Sequence, residues 1–176
     1  MKFDIIIIGA GPSGLSVACA LAKTKLKIAV IEKNSRSKFS KPQNDGIDIA
    51  LTHRSKNILK KFGIWKFINS KKISPVKEAR ILDGNSPRYL HFDHIKTVKD
   101  SLGYLVPNQI IRKAVYKKLQ TLKKIKIFSK NEVSKIISNK FLSKIYLKNK
   151  KILESKLTVV ADGRLSKNRE KLGIYA

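Results

Sequence analysis

The first 32 residues constrain this chain more than anything else in it. Phe3 to Ile8 reads as a strand whose four consecutive isoleucines leave no polar face, as in a parallel strand covered on both sides. Gly9-Ala-Gly-Pro-Ser-Gly14 follows, then a small-residue helix from Leu15 to Lys23, then a second strand from Lys27 to Ile31 that ends at Glu32. Together these make a βαβ unit. The spacing Gly9-x-Gly11-x-x-Gly14 has a mechanical meaning. Gly9 permits the tight turn, Gly11 lets a pyrophosphate approach the backbone, Gly14 lets helix and strand pack closely, and the helix N-terminus faces the anion. Glu32 lies 18 residues past Gly14; its carboxylate can accept hydrogen bonds from an adenosine ribose and would repel a 2′-phosphate. A glycine pattern alone is weak. Strand, glycines, helix, strand and terminal acid in order point to a dinucleotide.

At 176 residues the chain has room for about one domain, and 42% hydrophobic residues argue against a disordered tail. Its single cysteine excludes an internal disulfide and a cysteine-rich zinc site. The longest apolar run, Ile5 to Ala10, falls far short of the roughly 20 residues of a membrane span. Only Lys2 adds a charge before Phe3 and Asp4, so no signal peptide is visible. The expectation is a cytoplasmic protein. The net charge of +27 first suggests nucleic acid, but Arg fills only seven of the 39 basic positions. Base-reading and bidentate phosphate sites favour Arg. Abundant Lys, Ile and Asn with sparse Ala look like AT-rich coding. No specific nucleic-acid partner is expected, and weak attraction to anionic lipid suits the charge better.

Further along, Asn34 to Asp48 is polar and reads as a loop. Arg54 to Ile68 has helical spacing, interrupted at Gly63. Val76 to Leu82 and Arg88 to Phe92 read as a strand pair across Asp83-Gly84-Asn85. A helix is expected from Pro107 to about Leu122, with Ile111, Val115 and Leu119 on one face. Lys126 to Phe128 reads as a short strand, Val133 to Ile137 and Leu142 to Leu147 as a meander, and Leu157 to Ala161 as an apolar strand closed by Asp162-Gly163.

That last strand leads into Asp162-Gly-Arg-Leu-Ser-Lys-Asn-Arg169, of the form D-G-x-x-S-x-x-R. The segment resembles the second fingerprint of the flavoprotein aromatic hydroxylases, the para-hydroxybenzoate hydroxylase superfamily. Three more stretches resemble the ubiquinone-biosynthesis hydroxylases within it, of the 2-octaprenyl-6-methoxyphenol or 2-polyprenylphenol hydroxylase type. They are Ile49-Ala-Leu-Thr-His-Arg-Ser55 with Leu59 and Phe62-Gly-Ile-Trp65, Leu102-Gly-Tyr-Leu-Val-Pro-Asn108 continuing to Leu119, and Arg169-Glu-Lys-Leu-Gly-Ile174. Leu82-Asp83 and Leu90-His-Phe-Asp93 lie between the first two of these, as in that group.

The resemblance implies an α/β fold: a Rossmann-like FAD-binding domain with a parallel sheet, centred on Phe3–Ile8, Lys27–Ile31 and Leu157–Val160, plus part of an antiparallel substrate domain. It divides the chain into an FAD-binding domain over 1–72 and 101–176 and the start of a substrate-binding β domain over 73–100. It implies FAD as cofactor, NAD(P)H as reductant, and O2 and a prenylated phenol as substrates of an aromatic-ring monooxygenase. It places cofactor contacts at Gly9, Gly11, Pro12, Ser13, Gly14, Glu32, Lys33, Asn108, Asp162, Gly163, Ser166 and Arg169. It assigns no catalytic side chain and no metal. A prenylated substrate also implies work at the inner-membrane surface, or within a ubiquinone-biosynthesis complex.

Two departures qualify this reading. Ile47 occupies the place where the family usually carries an Arg near the flavin; Arg54 and Lys41 are the nearby candidates to replace it. The family's third fingerprint, a Gly-Asp turn, is not found, so the chain resembles the N-terminal half only, and by itself is expected to show little or no hydroxylase activity. The competing readings are a non-catalytic split or decayed fragment that retains ADP or FAD binding at most, and a basic nucleic-acid or lipid binder. Other polar residues get plain readings. His91 and His94 flank Asp93 in a strand and turn and carry no metal role. His53 belongs to a loop or helix start, Cys19 to a packed helix, and Trp65 and Phe67 to the core.

Overall fold

A computed structural model describes residues 1–84, 86–96 and 100–174. In chain order the elements are β1 (Lys2–Ile8), α1 (Pro12–Leu21), β2 (Ile28–Glu32), α2 (Arg36–Ser40), β3 (Asp48–Leu51), α3 (His53–Lys61), β4 (Ser74–Val76), β5 (Glu78–Leu82), β6 (Tyr89–Asp93), β7 (Gly103–Pro107), α4 (Asn108–Gln120), β8 (Ile125–Ser129), β9 (Val133–Ser138), β10 (Ser143–Leu147), β11 (Ile152–Val160) and α5 (Lys167–Lys171). The fold is α/β, with one mixed sheet and two small antiparallel sheets.

The chain divides into two compact units, one of Met1–Pro42 with Val115–Ala176 and one of Gln43–Ala114. The first is built on a six-stranded sheet of order β8-β2-β1-β11-β10-β9. β1 lies at its centre, parallel to β2 on one side and to β11 on the other. Ile6 and Ile7 are fully buried, which the run of isoleucines anticipates: a central parallel strand has no wet face. Burying each such side chain contributes about 1.5–3 kcal/mol. Ile6, Ile8, Ala29, Ile31, Ile145, Leu147 and Leu153 share one core cluster, so the parallel half and the antiparallel wing are packed as one body.

The second unit holds a three-stranded sheet, β3-β7-β4, and the hairpin β5-β6. In the hairpin Ile81 pairs with Leu90 and Ala79 with Phe92, while Arg80 and His91 meet on the opposite face. Of the expected turn Asp83-Gly84-Asn85, Asn85 lies outside the described residues, as do residues 97–99 of the expected 73–100 segment.

Several sequence expectations need correction. α1 begins at Pro12 rather than Leu15, because a proline at the first helical position forfeits an N–H that has no intrahelical partner anyway. The polar stretch 34–48 is not all loop: Ser35 opens the short helix α2 and Asp48 begins β3. Val76 to Leu82 is not one strand. Ser74–Val76 pairs with β7, and only Glu78–Leu82 joins the hairpin. Pro107 does not open α4; it ends β7 opposite Asp48, and the helix starts at Asn108.

Candidate nucleotide-binding site

The glycine loop leaves the end of β1, and each glycine meets a different demand. Gly9 adopts φ +104°, and its N–H donates to the Ile31 carbonyl at 2.8 Å. A Cβ there would press on the Ala161 carbonyl oxygen and lie 2.8 Å from Asp162 Cα. A Cβ on Gly14 would run into the Gly9 carbonyl. Gly11 differs: nothing lies within 4 Å of where its Cβ would be. Gly9 and Gly14 are thus required by the protein's own packing, whereas Gly11 keeps a space open.

Gly11 is also the N-cap of α1, and no side chain caps it. The first intrahelical bond runs from Leu15 N–H to the Gly11 carbonyl at 3.0 Å. Pro12 has no N–H, so the amides of Ser13 and Gly14 are left without an intrahelical acceptor. An anion is the natural partner for such a terminus.

Glu32 ends β2 and is only 8% exposed. Its Oε2 accepts from Ala10 N–H at 2.8 Å, and its Oε1 accepts from both Asn34 N–H and Asn34 Nδ2, each at 2.8 Å. A carboxylate has about four acceptor sites. One, on Oε2, therefore remains for a ligand hydroxyl. Lys33 follows and is exposed.

The second motif arrives at the same strand ends. Ile8 pairs with Val160, and Ala161 N–H donates to the Ile8 carbonyl at 2.8 Å. This brings Asp162 against Gly9, across 153 positions of sequence. Gly163, at φ +108°, faces open space. Buried Ser166 caps α5, its Oγ accepting from Arg169 N–H at 3.0 Å. Asp162 Oδ2 accepts from Asn168 Nδ2 at 2.8 Å. Asp162 Oδ1 and Arg169 Nε are both buried and without a hydrogen-bond partner. Orphaned buried polar atoms are costly, and these two sit in the motif expected to meet a cofactor.

Eleven of the twelve expected cofactor residues therefore belong to the first unit. Asn108 belongs to the second, at the start of α4. Its N–H donates to the Ile47 carbonyl at 2.8 Å, and its Nδ2 donates to Asp45 Oδ2 at 2.6 Å. That bond, first among its causes, holds the Asp45 carboxyl below its usual range. Ile47 itself is half exposed.

The second unit also joins His53 and Trp65, given plain readings from sequence, to neighbours that no motif named. His53, the first residue of α3, has Nε2 at 2.6 Å from the Ser101 carbonyl. Lys56 Nζ lies 3.8 Å from the Tyr104 ring centroid and 5.5 Å from that of Trp65. The hydrogen bond from the Lys56 ammonium is the leading cause that draws the Tyr104 phenol down from its usual value.

Sequence reasoning missed Ala10, Asn34 and Asn168 as partners of the two acids. For Asn34 a signal was present: an Asn two residues past a strand-end acid is a turn former whose side chain seeks a local partner. For Ala10 there was none, since any residue supplies a backbone N–H.

Comparison with known proteins bears on the family and the fold. The chain is 37% identical to a ubiquinone hydroxylase, UbiM, of Neisseria meningitidis over 97% of its own length and 38% of that protein. It is 27% identical to the ubiquinone hydroxylase UbiL of Rhodospirillum rubrum and 24% identical to the 3-demethoxyubiquinol 3-hydroxylase of Escherichia coli, covering 39% and 44% of them. The chain thus spans about two fifths of the length of these relatives. Among solved structures, p-nitrophenol 4-monooxygenase of Pseudomonas putida superposes with a TM-score of 0.75 at 20% identity, over 98% of this chain and 44% of that one. PqsL of Pseudomonas aeruginosa superposes with 0.74 at 18% identity, over 100% and 46%. A family model described as an FAD binding domain matches residues 2–176, and with its glycine loop, strand-end acid and second motif gathered at one end of the parallel strands this chain belongs to that FAD-binding family.

Proposed function

We propose that this chain supplies the dinucleotide-holding part of an FAD-dependent hydroxylase that acts on a prenylated phenol in ubiquinone biosynthesis. The observation that carries the reading is the meeting of Gly9 and Asp162, which places both motifs at one end of the parallel sheet. The likeness to ubiquinone hydroxylases along 97% of the chain supports the substrate class. When bound, FAD carries electrons from NAD(P)H to O2 chemistry at the phenol ring.

The chain's own residues bind and orient. The Ser13 and Gly14 amides at the uncapped start of α1 neutralise pyrophosphate charge, and the gap beside Gly11 admits it. The free acceptor site of Glu32 takes a ribose hydroxyl. Asp162 Oδ1 suits a hydroxyl-bearing part of the cofactor, because a carboxylate repels phosphate directly. Arg169 supplies the complementary donor. The division into 1–72 with 101–176 and 73–100 belongs to the same proposal, with β5 and β6 beginning the substrate-facing sheet. No described helix is long and apolar enough to cross a membrane. Peripheral attachment of the parent enzyme to the inner membrane belongs to the same proposal.

The test is flavin retention. The purified chain is titrated with FAD, FMN and NADH, with flavin fluorescence quenching as readout. Saturable binding with FAD preferred supports the reading, and absence of saturable FAD binding overturns it.

A further inference from the structure

We infer that the outward face of the antiparallel wing, β9-β10-β11, is a docking surface for an anionic lipid bilayer. The wing has two unlike faces. Ile136, Ile145, Leu147 and Leu153 point into the core. On the other face the register lines up Lys135, Tyr146 and Ile152 in one row and Ile137, Lys144 and Glu154 in the next. Ile137 and Ile152 are 46% and 45% exposed. Apolar side chains thus alternate with lysines over a surface whose mate within the sheet is complete.

The β9–β10 turn extends the pattern. Asn139 Oδ1 accepts from both Phe141 N–H and Leu142 N–H at 2.9 Å, and Asn139 N–H donates to the Leu142 carbonyl at 3.0 Å. This closed turn holds Phe141 outward, 78% exposed, with Lys140 Nζ 5.9 Å from its ring centroid. The nearby acids are already met by lysines. Glu154 has Lys2 at 4.0 Å, and Asp4 has Lys156 at 2.9 Å. The face is therefore positive, and the whole chain carries +27.

Lysines with long apolar stems, interleaved with aliphatic residues and one projecting aromatic ring, match a headgroup layer over an acyl boundary. Anionic lipid supplies the opposite charge. A polynucleotide would use the lysines but leave Phe141, Ile137 and Ile152 in water, so the apolar component favours the bilayer. The inference rests on the peripheral attachment proposed above, for which it names the face and the lipid, but not on cofactor binding. Vesicle binding and FAD binding can fail separately.

The experiment is co-sedimentation of the full chain with phosphatidylcholine vesicles, with or without phosphatidylglycerol, near physiological salt. Binding is expected only with phosphatidylglycerol. Lys135→Gln with Lys144→Gln should weaken it by about 10- to 30-fold, and Phe141→Ser by about tenfold. Lys60→Gln with Lys61→Gln, on exposed α3, removes the same charge elsewhere and should cost far less. Equal losses from the two lysine pairs, an unaltered Phe141→Ser variant, or tighter binding to polyuridylate than to the anionic vesicles overturns the inference.

Discussion

The backbone N–H of Ala10 donates to Glu32 Oε2 at 2.8 Å. The turn proposed to face a pyrophosphate is thereby tied to the acid proposed to face a ribose, 22 residues later, by a bond inside the protein. Asn34 holds the other oxygen from the opposite side through two bonds of 2.8 Å. The carboxylate serves the fold before it serves a ligand. Its remaining acceptor site is aimed by bonds that exist without cofactor.

Glu32→Ala should therefore lower stability as well as affinity. It strips Ala10 and Asn34 of their acceptor in a buried place, at a cost of about 2–3 kcal/mol. Urea unfolding without FAD measures this loss, and FAD titration should show weakening of tenfold or more. Glu32→Gln should recover part of the stability, since one amide oxygen still serves Asn34, but its NH2 would oppose the Ala10 N–H. An unchanged urea midpoint in Glu32→Ala would show that the tie adds nothing to the fold.

The three motif glycines should separate in the same assays. Gly14→Ala puts a methyl group into the Gly9 carbonyl, and Gly9→Ala adds strain at φ +104° to a clash with Ala161. Each should cost about 3 kcal/mol or more, or prevent folding. Gly11→Ala meets nothing within 4 Å and should stay within about 1 kcal/mol of the parent. Its FAD affinity should still fall by tenfold or more, because the methyl fills the space proposed for the pyrophosphate. A Gly11→Ala chain with full affinity would place the pyrophosphate elsewhere.

How far the sequence reached follows from how local each signal is. The βαβ unit was legible because its evidence is contiguous: a run of four isoleucines, spaced glycines and a terminal acid within 32 residues. The hairpin of β5 and β6 was legible from its turn. The sheet β3-β7-β4 was not. Its outer strands are four and three residues long, and each is defined by pairing with β7 more than 25 positions away. Pro107 misled for a related reason. A proline suits a helix start, and only the pairing with Asp48 reveals that it closes a strand. At the site, residue types were readable but their partners were not: the contact of Gly9 with Asp162 comes from strand order, which no local pattern encodes.

Asp162 should separate binding from folding in the direction opposite to Gly14. Its Oδ1 is buried and has no hydrogen-bond partner among the described protein groups, so it offers a bound hydroxyl an acceptor that the fold does not use. Asp162→Asn leaves an amide oxygen able to accept from Asn168, and it replaces the carboxylate charge with a donor. Stability should change by less than about 1 kcal/mol, while FAD affinity should fall by about 10- to 100-fold. If both quantities stay unchanged, Asp162 is not a cofactor contact.

Cys19 gives a prediction about pH. It lies in the buried stripe of α1 with Gly14, Leu15 and Ala18, and burial pushes its thiol up to about 11, with Lys118 opposing weakly. The folded state thus holds this proton more tightly than the unfolded chain, whose thiol loses it near 9. The stabilisation this contributes is intact below about 9 and is lost as pH rises through about 11. Between those values the urea midpoint should decline with pH, and Cys19→Ala should decline less over the same window. Thiol reagents at pH 8 should label the native chain slowly, at a rate that tracks unfolding, because the thiolate is the nucleophile and burial withholds both it and access. Rapid native-state labelling would show instead that α1 opens readily, and with it the helix terminus proposed to face the nucleotide.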